Sequence, residues 1–348
     1  MQAYRGKNGS YTVNKKHRPI FYGEFIEQEA KRRRYWARSY LGYPPVRVAE
    51  PNPTHFAIAA LHELGHTSQL ITQNVDGLHH KGTYILSLLQ SPDSAFGSLL
   101  FGMGVSRLAA DSDEHLRTYL APAQVQPSVA TAAGAPGTPP ILELHGTLRH
   151  AHCLSCGTPT GRDAFQDRLS TLNPAWAKYA SEIQDGREER LNPDGDVELP
   201  PGMDYEAFTV PACDACGGPM KPRVVFFGES LEPHVRAAAD AFVAGSAQLL
   251  VVGSSLATFS AFRLLKQMKE HGGQVGLLNV GESRGDPIVD WRVGHEDGAG
   301  AILPEVARRL LQEAVEQNRL SSRKRRTIET MLTSGKVKPL PAGRRAAS

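Results

Sequence analysis

Cysteine is nearly absent from this chain, with four in 348 residues. So small a number of thiols, in a chain this long and with no secretory signal at its start, points away from a disulfide framework and toward a reducing compartment. Long hydrophobic runs are missing too. The strongest, Leu249 to Val252, soon meets Gly253-Ser254-Ser255, far short of the roughly 20 residues that a membrane helix needs. A large charge imbalance is also lacking. The formal net charge is +3, and much of the excess sits in Arg323-Lys324-Arg325-Arg326 and Arg344-Arg345, which reads more simply as a solvated tail than as a nucleic-acid surface. With 41% hydrophobic residues the chain can bury a full core, and its length fits one large domain carrying a smaller inserted one.

The four cysteines form two matched pairs, Cys153-x-x-Cys156 and Cys213-x-x-Cys216, followed by Gly157 and Gly217. A two-residue gap lets a tight turn aim two sulfurs at one metal, and two such turns complete the tetrahedron of thiolates that zinc favours. The glycines suit the turn that follows each knuckle. With every ligand drawn from protein, no position is left for water, so the expected Zn2+ is structural and the chemistry lies elsewhere. Four unrelated buried thiols are the bland alternative. A zinc-ribbon nucleic-acid binder would carry many basic and aromatic residues around the pairs, and those stretches are only mildly basic.

Along the rest of the chain, apolar strand-like runs alternate with helical patterns, as in a parallel sheet covered on both faces. Expected strands are Thr67 to Thr72, Arg223 to Phe227, Leu249 to Val252 and Val275 to Leu278. Expected helices are His55 to Leu64, Pro233 to Ala244 and Phe262 to His271, closed by Gly65, Gly245 and Gly272. Glycine, serine and asparagine gather just after the strand ends, where open parallel sheets bind nucleotides, although such residues are also ordinary loop formers. Residues from about 88 to 140 lack periodicity and end in a Gly/Ala/Pro-rich run, which reads as a flexible insertion. From about residue 320 the chain is polar and basic and is expected to be a disordered tail.

Several motifs then occur in a fixed order. They are Thr72-Gln73-Asn74-Val75-Asp76-Gly77-Leu78-His79, Glu143-Leu144-His145-Gly146-Thr147, Lys221 to Glu229, Gly253-Ser254-Ser255-Leu256 and Leu278-Asn279-Val280-Gly281. On these motifs the chain resembles the sirtuins, over approximately residues 4 to 312 apart from the insertion. Tyr35-Trp36-Ala37-Arg38, Pro51 to His55 and Asn192 to Asp196 resemble the mitochondrial class II, sirtuin-4-like branch.

The resemblance implies an α/β fold, a Rossmann-type parallel sheet domain with a smaller inserted zinc-binding lobe built on the four cysteines. The implied division is 4–87 and 222–312 for the NAD-binding domain, 88–140 for the insertion and 141–221 for the catalytic histidine motif and zinc lobe. Residues 313–348 would hold the end of a helix and the basic tail. The implied activity is NAD-dependent removal of acyl groups from protein lysine, giving nicotinamide and O-acyl-ADP-ribose, with mono-ADP-ribosyl transfer as a further activity of that branch. His145 would be the base, with Asn74 and Asp76 beside it in the nicotinamide and ribose pocket. NAD would be held by Tyr4, Arg5, Gln73, Asn74, Val75, Asp76, Gly253, Ser254, Ser255, Asn279, Val280, Gly281 and Ala299. Val225, Phe226, Phe227, Gly228 and Glu229 would offer an edge to an extended acyl-lysine peptide, though Phe227 reads equally well as core. A monomer in the mitochondrial matrix is implied, with nucleus or cytoplasm as the alternative.

The family's Gly-Ala-Gly-x-Ser loop precedes the segment matching Tyr4-Arg5-Gly6, and this chain starts just after that point. A longer natural protein is therefore the expectation, and a catalytically silent peptide-binding module is the rival reading. Gly102-Met103-Gly104-Val105-Ser106 superficially resembles the loop but lies inside the insertion.

Overall fold

A computed structural model describes residues 19–83, 141–184, 199–294 and 298–334. Tyr4, Arg5, the 88–140 insertion with its Gly102 to Ser106 run, the Asn192 to Asp196 motif and the chain after 334 lie outside the described residues.

Three helices come first, α1 (Tyr22–Glu27), α2 (Glu29–Arg47) and α3 (Pro53–Glu63). Asn52 caps α3, its Oδ1 accepting from the Thr54 and His55 amides at 3.0 and 3.2 Å, and Pro53 takes the first turn, where its missing N–H costs nothing. The helix therefore begins two residues before the expected His55. Strand β1 (Leu70–Thr72) pairs in parallel with β2 (Ile141–Glu143), Leu70 opposite Ile141.

The smaller lobe follows. Strand β3 (Gly146–Cys153) is flanked antiparallel by β4 (Pro159–Gly161) and β5 (Met220–Val224), with helices α4 (Arg162–Leu172) and α5 (Pro174–Gln184) against them. This corrects the expected strand Arg223 to Phe227. The strand lies earlier and belongs to the antiparallel lobe sheet, because Pro222, Lys221 and Met220 pair with Ala151, His152 and Cys153.

The chain then returns to parallel structure with α6 (Pro233–Ala244), β6 (Gln248–Val252), α7 (Phe259–Glu270), β7 (Gln274–Leu278) and β8 (Trp291–Val293). Helix α6 has the expected bounds. Gly276 on β7 lies flat against the Trp291 indole, where a side chain would collide. Among the described residues β1 pairs only with β2 and β6 only with β7, so the parallel strands form two sheets and not one. The two meet through side chains at their carboxyl ends, where Gln73 Nε2 donates to Ser254 Oγ at 2.8 Å.

Helices α8 (Ala299–Glu316) and α9 (Ser322–Ser334) close the described chain. The expectation of disorder from residue 320 is overturned as far as residue 334. Ile328, Met331 and Leu332 recur at helical spacing and are buried; Ile328 and Leu332 join Leu61, Leu303 and Leu311 in one apolar cluster. The basic run that suggested a solvated tail is the outer face of this helix, with Lys324 reaching Glu63 at 3.3 Å.

A second apolar cluster joins Leu142 and Leu144 to Ala239, Leu265, Met268 and Val275, covering β2 with α6 and α7. The third lies between the lobe and α2. There the Trp36 indole N–H donates to the Met220 carbonyl at 2.8 Å. The buried Arg162 guanidinium lies against the Trp36 and Tyr43 rings, 5.4 and 4.3 Å from their centroids, and donates to Ser39 and Gln166. A planar, weakly hydrated cation tolerates such a place where a lysine would not.

Candidate functional site

His145 lies in the turn that follows β2. Leu142 and Leu144 join the core, while Glu143 and His145 are half-buried at the carboxyl end of β2, beside that of β1. The Leu144 N–H donates to the Thr72 carbonyl at 2.9 Å, holding His145 beside the 72–76 segment. His145 Nε2 lies 2.9 Å from Ser260 Oγ. Burial holds its pKa below the ordinary imidazole value, although the nearby Gln73 backbone pulls the other way. His145 is thus a neutral imidazole at neutral pH.

The 72–76 segment is a polar turn. Thr72 Oγ1 accepts from the Asn74 N–H at 3.1 Å, the exposed Asn74 side chain stands at the mouth, and Asp76 is buried with Oδ1 accepting from the Leu78 N–H at 3.0 Å. Asp76 therefore caps the helical residues 78–83. The Val75 carbonyl is taken by the Leu148 N–H at 2.8 Å. Gln73 reaches across to the other sheet, donating to Ser254 and lying 3.4 Å from Thr258 Oγ1. Gly253 is exposed with φ +59, and Ser254 Oγ accepts from the Leu256 N–H at 3.1 Å. The Asn279, Val280 and Gly281 segment leaves the end of β7, with Gly298 packed on Val280 so that Ala299 opens α8 beside it. The described residues of the expected nucleotide site thus gather at the carboxyl ends of β1, β6 and β7.

Val225 to Glu229 adjoins His145 through the backbone, the Val225 N–H donating to the His145 carbonyl at 2.8 Å. Of its five residues, Phe226 is core, stacked edge-on against Phe25 at 4.9 Å, whereas Phe227 is 37% exposed, so core is the wrong reading for Phe227. Glu229 turns inward. Its carboxylate accepts from the Phe226 N–H at 2.7 Å and pairs with the buried Lys221 ammonium at 3.0 Å, while Lys221 also donates to the Val224 carbonyl at 2.6 Å. Part of the exposed edge is already used, because the Tyr22 N–H donates to the Phe227 carbonyl at 2.9 Å.

Sequence reasoning missed Thr258, Ser260, Lys221 and Glu143. The first two open α7, which starts three residues before the expected Phe262. Thr258 sits at the N-cap without capping, since its hydroxyl turns to Gln73. A Thr-x-Ser just after a Gly-Ser-Ser strand end was the available signal. Burial pushes the Glu143 carboxyl up to about 8, with the Asp76 charge adding to this and Arg149 and Arg223 opposing it.

Other histidines, three near the crevice and His152 in the lobe sheet, are kept neutral by burial: His55, His80 and His152 are lowered to about 4 and His79 to about 3. An unfolded histidine titrates near 6.5, so below that pH the unfolded chain takes up protons that the folded one refuses, and stability falls with pH. Glu143 works in the opposite direction between 4.5 and about 8, keeping a proton that the unfolded chain has lost. Four groups outweigh one. The unfolding free energy from urea titration should drop between pH 6.5 and 5, by on the order of 3 kcal/mol after discounting the partly exposed rings; a flat profile in that window would contradict this burial pattern.

In the lobe, the Cys153 and Cys216 sulfurs lie 3.5 Å apart and those of Cys156 and Cys213 3.7 Å, with all four within 4.8 Å of one another. A tetrahedral ion with zinc–sulfur bonds near 2.3 Å sets sulfurs about 3.8 Å apart, so the four fit one zinc. Gly157 and Gly217 have φ of +74 and +73, and their N–H groups donate to the Cys153 and Cys213 carbonyls at 3.0 and 2.8 Å, closing the two knuckles. The Thr158 hydroxyl and backbone draw the Cys156 thiol down to about 6, favouring the ligating thiolate.

An α/β framework with a polar crevice at its strand ends and a four-thiolate lobe is the class that the geometry defines. Comparison with known proteins gives the family. The Sir2 family model matches residues 1–89 and 128–260. The NAD-dependent protein deacylase SIR4 of Batrachochytrium dendrobatidis is 36% identical over 308 residues, covering 87% of this chain and 83% of that protein. The NAD-dependent protein lipoamidase sirtuin-4, mitochondrial, of Bos taurus is 31% identical over 301 residues, covering 86% and 75%. In fold, the chain is similar to a mutant Sir2 homologue solved with ADP ribose, at a TM-score of 0.55 and 22% identity over 91% of this chain and 87% of that one. The chain belongs to the Sir2 family.

Proposed function

We propose that this protein is an NAD-dependent protein-lysine deacylase in which His145 is the general base. The observation that carries the reading is the placement of a half-buried, neutral imidazole between the 72–76 turn and the Val225 to Glu229 segment. The curated relatives named as NAD-dependent deacylases support the same activity.

NAD enters as a substrate, along the carboxyl ends of β1, β6 and β7, with Gln73, Asn74, Val75 and Asp76 on the nicotinamide and ribose side. Gly253 to Ser255 lie toward phosphate or ribose, and Asn279 to Gly281 with Ala299 toward the adenosine part. The acyl-lysine peptide lies along Val225 to Glu229, where main-chain pairing makes substrate sequence secondary. In the first step the acyl oxygen bonds to the ribose carbon as the bond to nicotinamide breaks. In the second, a ribose hydroxyl loses its proton toward His145 and its oxygen attacks the bound acyl carbon; the lysine nitrogen then leaves with a proton, and a water molecule adds to the acyl carbon as its bond to the first ribose oxygen breaks, giving O-acyl-ADP-ribose and free lysine. A neutral imidazole suits that step, since it accepts a proton near neutral pH.

Cys153, Cys156, Cys213 and Cys216 hold one structural zinc, which keeps β3 and β5 in register and takes no part in the transfer. Residence in the mitochondrial matrix is the location we propose, supported by the sirtuin-4 relatives named as mitochondrial; a tagged full-length protein that fractionates away from mitochondria would refute it. The acyl group is read by assaying nicotinamide release with acetyl-, lipoyl- and acidic-acyl-lysine peptides. Release dependent on one of these peptides is expected. Folded, zinc-loaded protein that releases none with any peptide would sink the enzyme reading and leave a peptide-binding module.

A further inference from the structure

Nε2 of the His145 ring faces Ser260 Oγ at 2.9 Å. In the tautomer that serves as a base at this position, Nδ1 carries the ring proton and Nε2 holds the lone pair, to which the Ser260 hydroxyl donates. Ser260 stands in the first turn of α7, one residue inside its start, and is half-buried. The same corner holds Thr258, Gln73 and Ser254, linked side chain to side chain. A substrate hydroxyl approaching the lone pair of the base therefore meets the Ser260 oxygen first.

We propose that Ser260 is a catalytic residue that relays the ribose proton to His145. The ribose O–H breaks as its proton passes to Ser260 Oγ, and the Ser260 O–H breaks as its own proton passes to Nε2. Serine ends the step unchanged, the imidazole has gained one proton, and the ribose oxygen carries the electron pair with which it attacks. The resulting imidazolium donates from Nε2 back to Ser260 Oγ. A hydroxyl fixed at 2.9 Å fills the place that a single bridging water takes in other general-base sites.

This rests on His145 being the base, and the test separates the two ideas. Ser260→Thr and Ser260→Val are matched in shape and differ only in the hydroxyl. The step served by the relay follows nicotinamide departure, so exchange of labelled nicotinamide into NAD in the presence of acyl-lysine peptide reports the chemistry before it. Ser260→Thr should deacylate like the parent. Ser260→Val should lose about 100-fold in deacylation, with peptide-dependent exchange held within about twofold. Equal deacylation by the two variants would overturn the relay, and so would parallel loss of deacylation and exchange in Ser260→Val, which marks a merely structural role. His145→Ala is the control on the underlying reading: if it deacylates normally, the base is misassigned and the relay falls with it, whereas an inactive His145→Ala beside a fully active Ser260→Val removes the relay alone.

Discussion

His145→Ala should lower acyl-lysine removal by about 10²- to 10⁴-fold, the range that a positioned general base contributes. The protein should still fold, because His145 is half-buried in a turn and the neighbouring core position is held by Leu144. Nicotinamide exchange should survive, since the departure of nicotinamide precedes the proton transfer. The pH profile gives a second reading of the same group. Burial lowers the His145 pKa, so the imidazole stays neutral to lower pH than a free one, and the acid limb of kcat/KM should fall below the ordinary value near 6.5. A variant that keeps full deacylation, or an acid limb above 6.5 in the parent, would remove His145 from its role.

Stripping the metal should have the largest effect on stability. Purified protein is expected to carry one zinc per chain, and Cys213→Ser should lose it. Structural zinc binding in small peptides reaches about 10–16 kcal/mol of apparent free energy at neutral pH. Here Phe165, Leu169, Trp176 and Phe208 also pack the lobe onto Trp36 and Tyr40 of α2, so the loss should be smaller, roughly 5 kcal/mol, or at least about 10 °C in Tm. Activity should go with it, because β3 carries Gly146 at one end and Cys153 at the other. Chelation that leaves both Tm and turnover unchanged would show that the four thiols are not a zinc site.

Much of this was legible in the sequence, for reasons that differ by element. Helix α6 could be bounded because Pro233 and Gly245 mark its ends, and the cysteine pairs could be grouped because their spacing and glycines encode the knuckles. Strand β5 was misplaced because Lys221-Pro222-Arg223 looks polar. Its lysine is buried only through the charge of Glu229, eight residues later, which no local pattern displays. Helix α9 was missed for the converse reason, four basic residues hiding an apolar stripe that matters only once α3 and α8 are there to receive it. Motif resemblance gathered the described residues of the crevice, but Ser260 comes to His145 only through the packing of α7 onto β2, 115 residues apart in sequence.

The seam between His145 and Val225 is made of main chain. Beside it, Gly146 at φ +77 presses against the Arg223 carbonyl where no other residue fits, and the Val225 amide meets the His145 carbonyl at 2.8 Å. With His145 as the proposed base and Val225 to Glu229 as the proposed peptide edge, the two would be set against each other by directly hydrogen-bonded peptide groups, so a side-chain substitution elsewhere in the crevice would leave their mutual spacing in place.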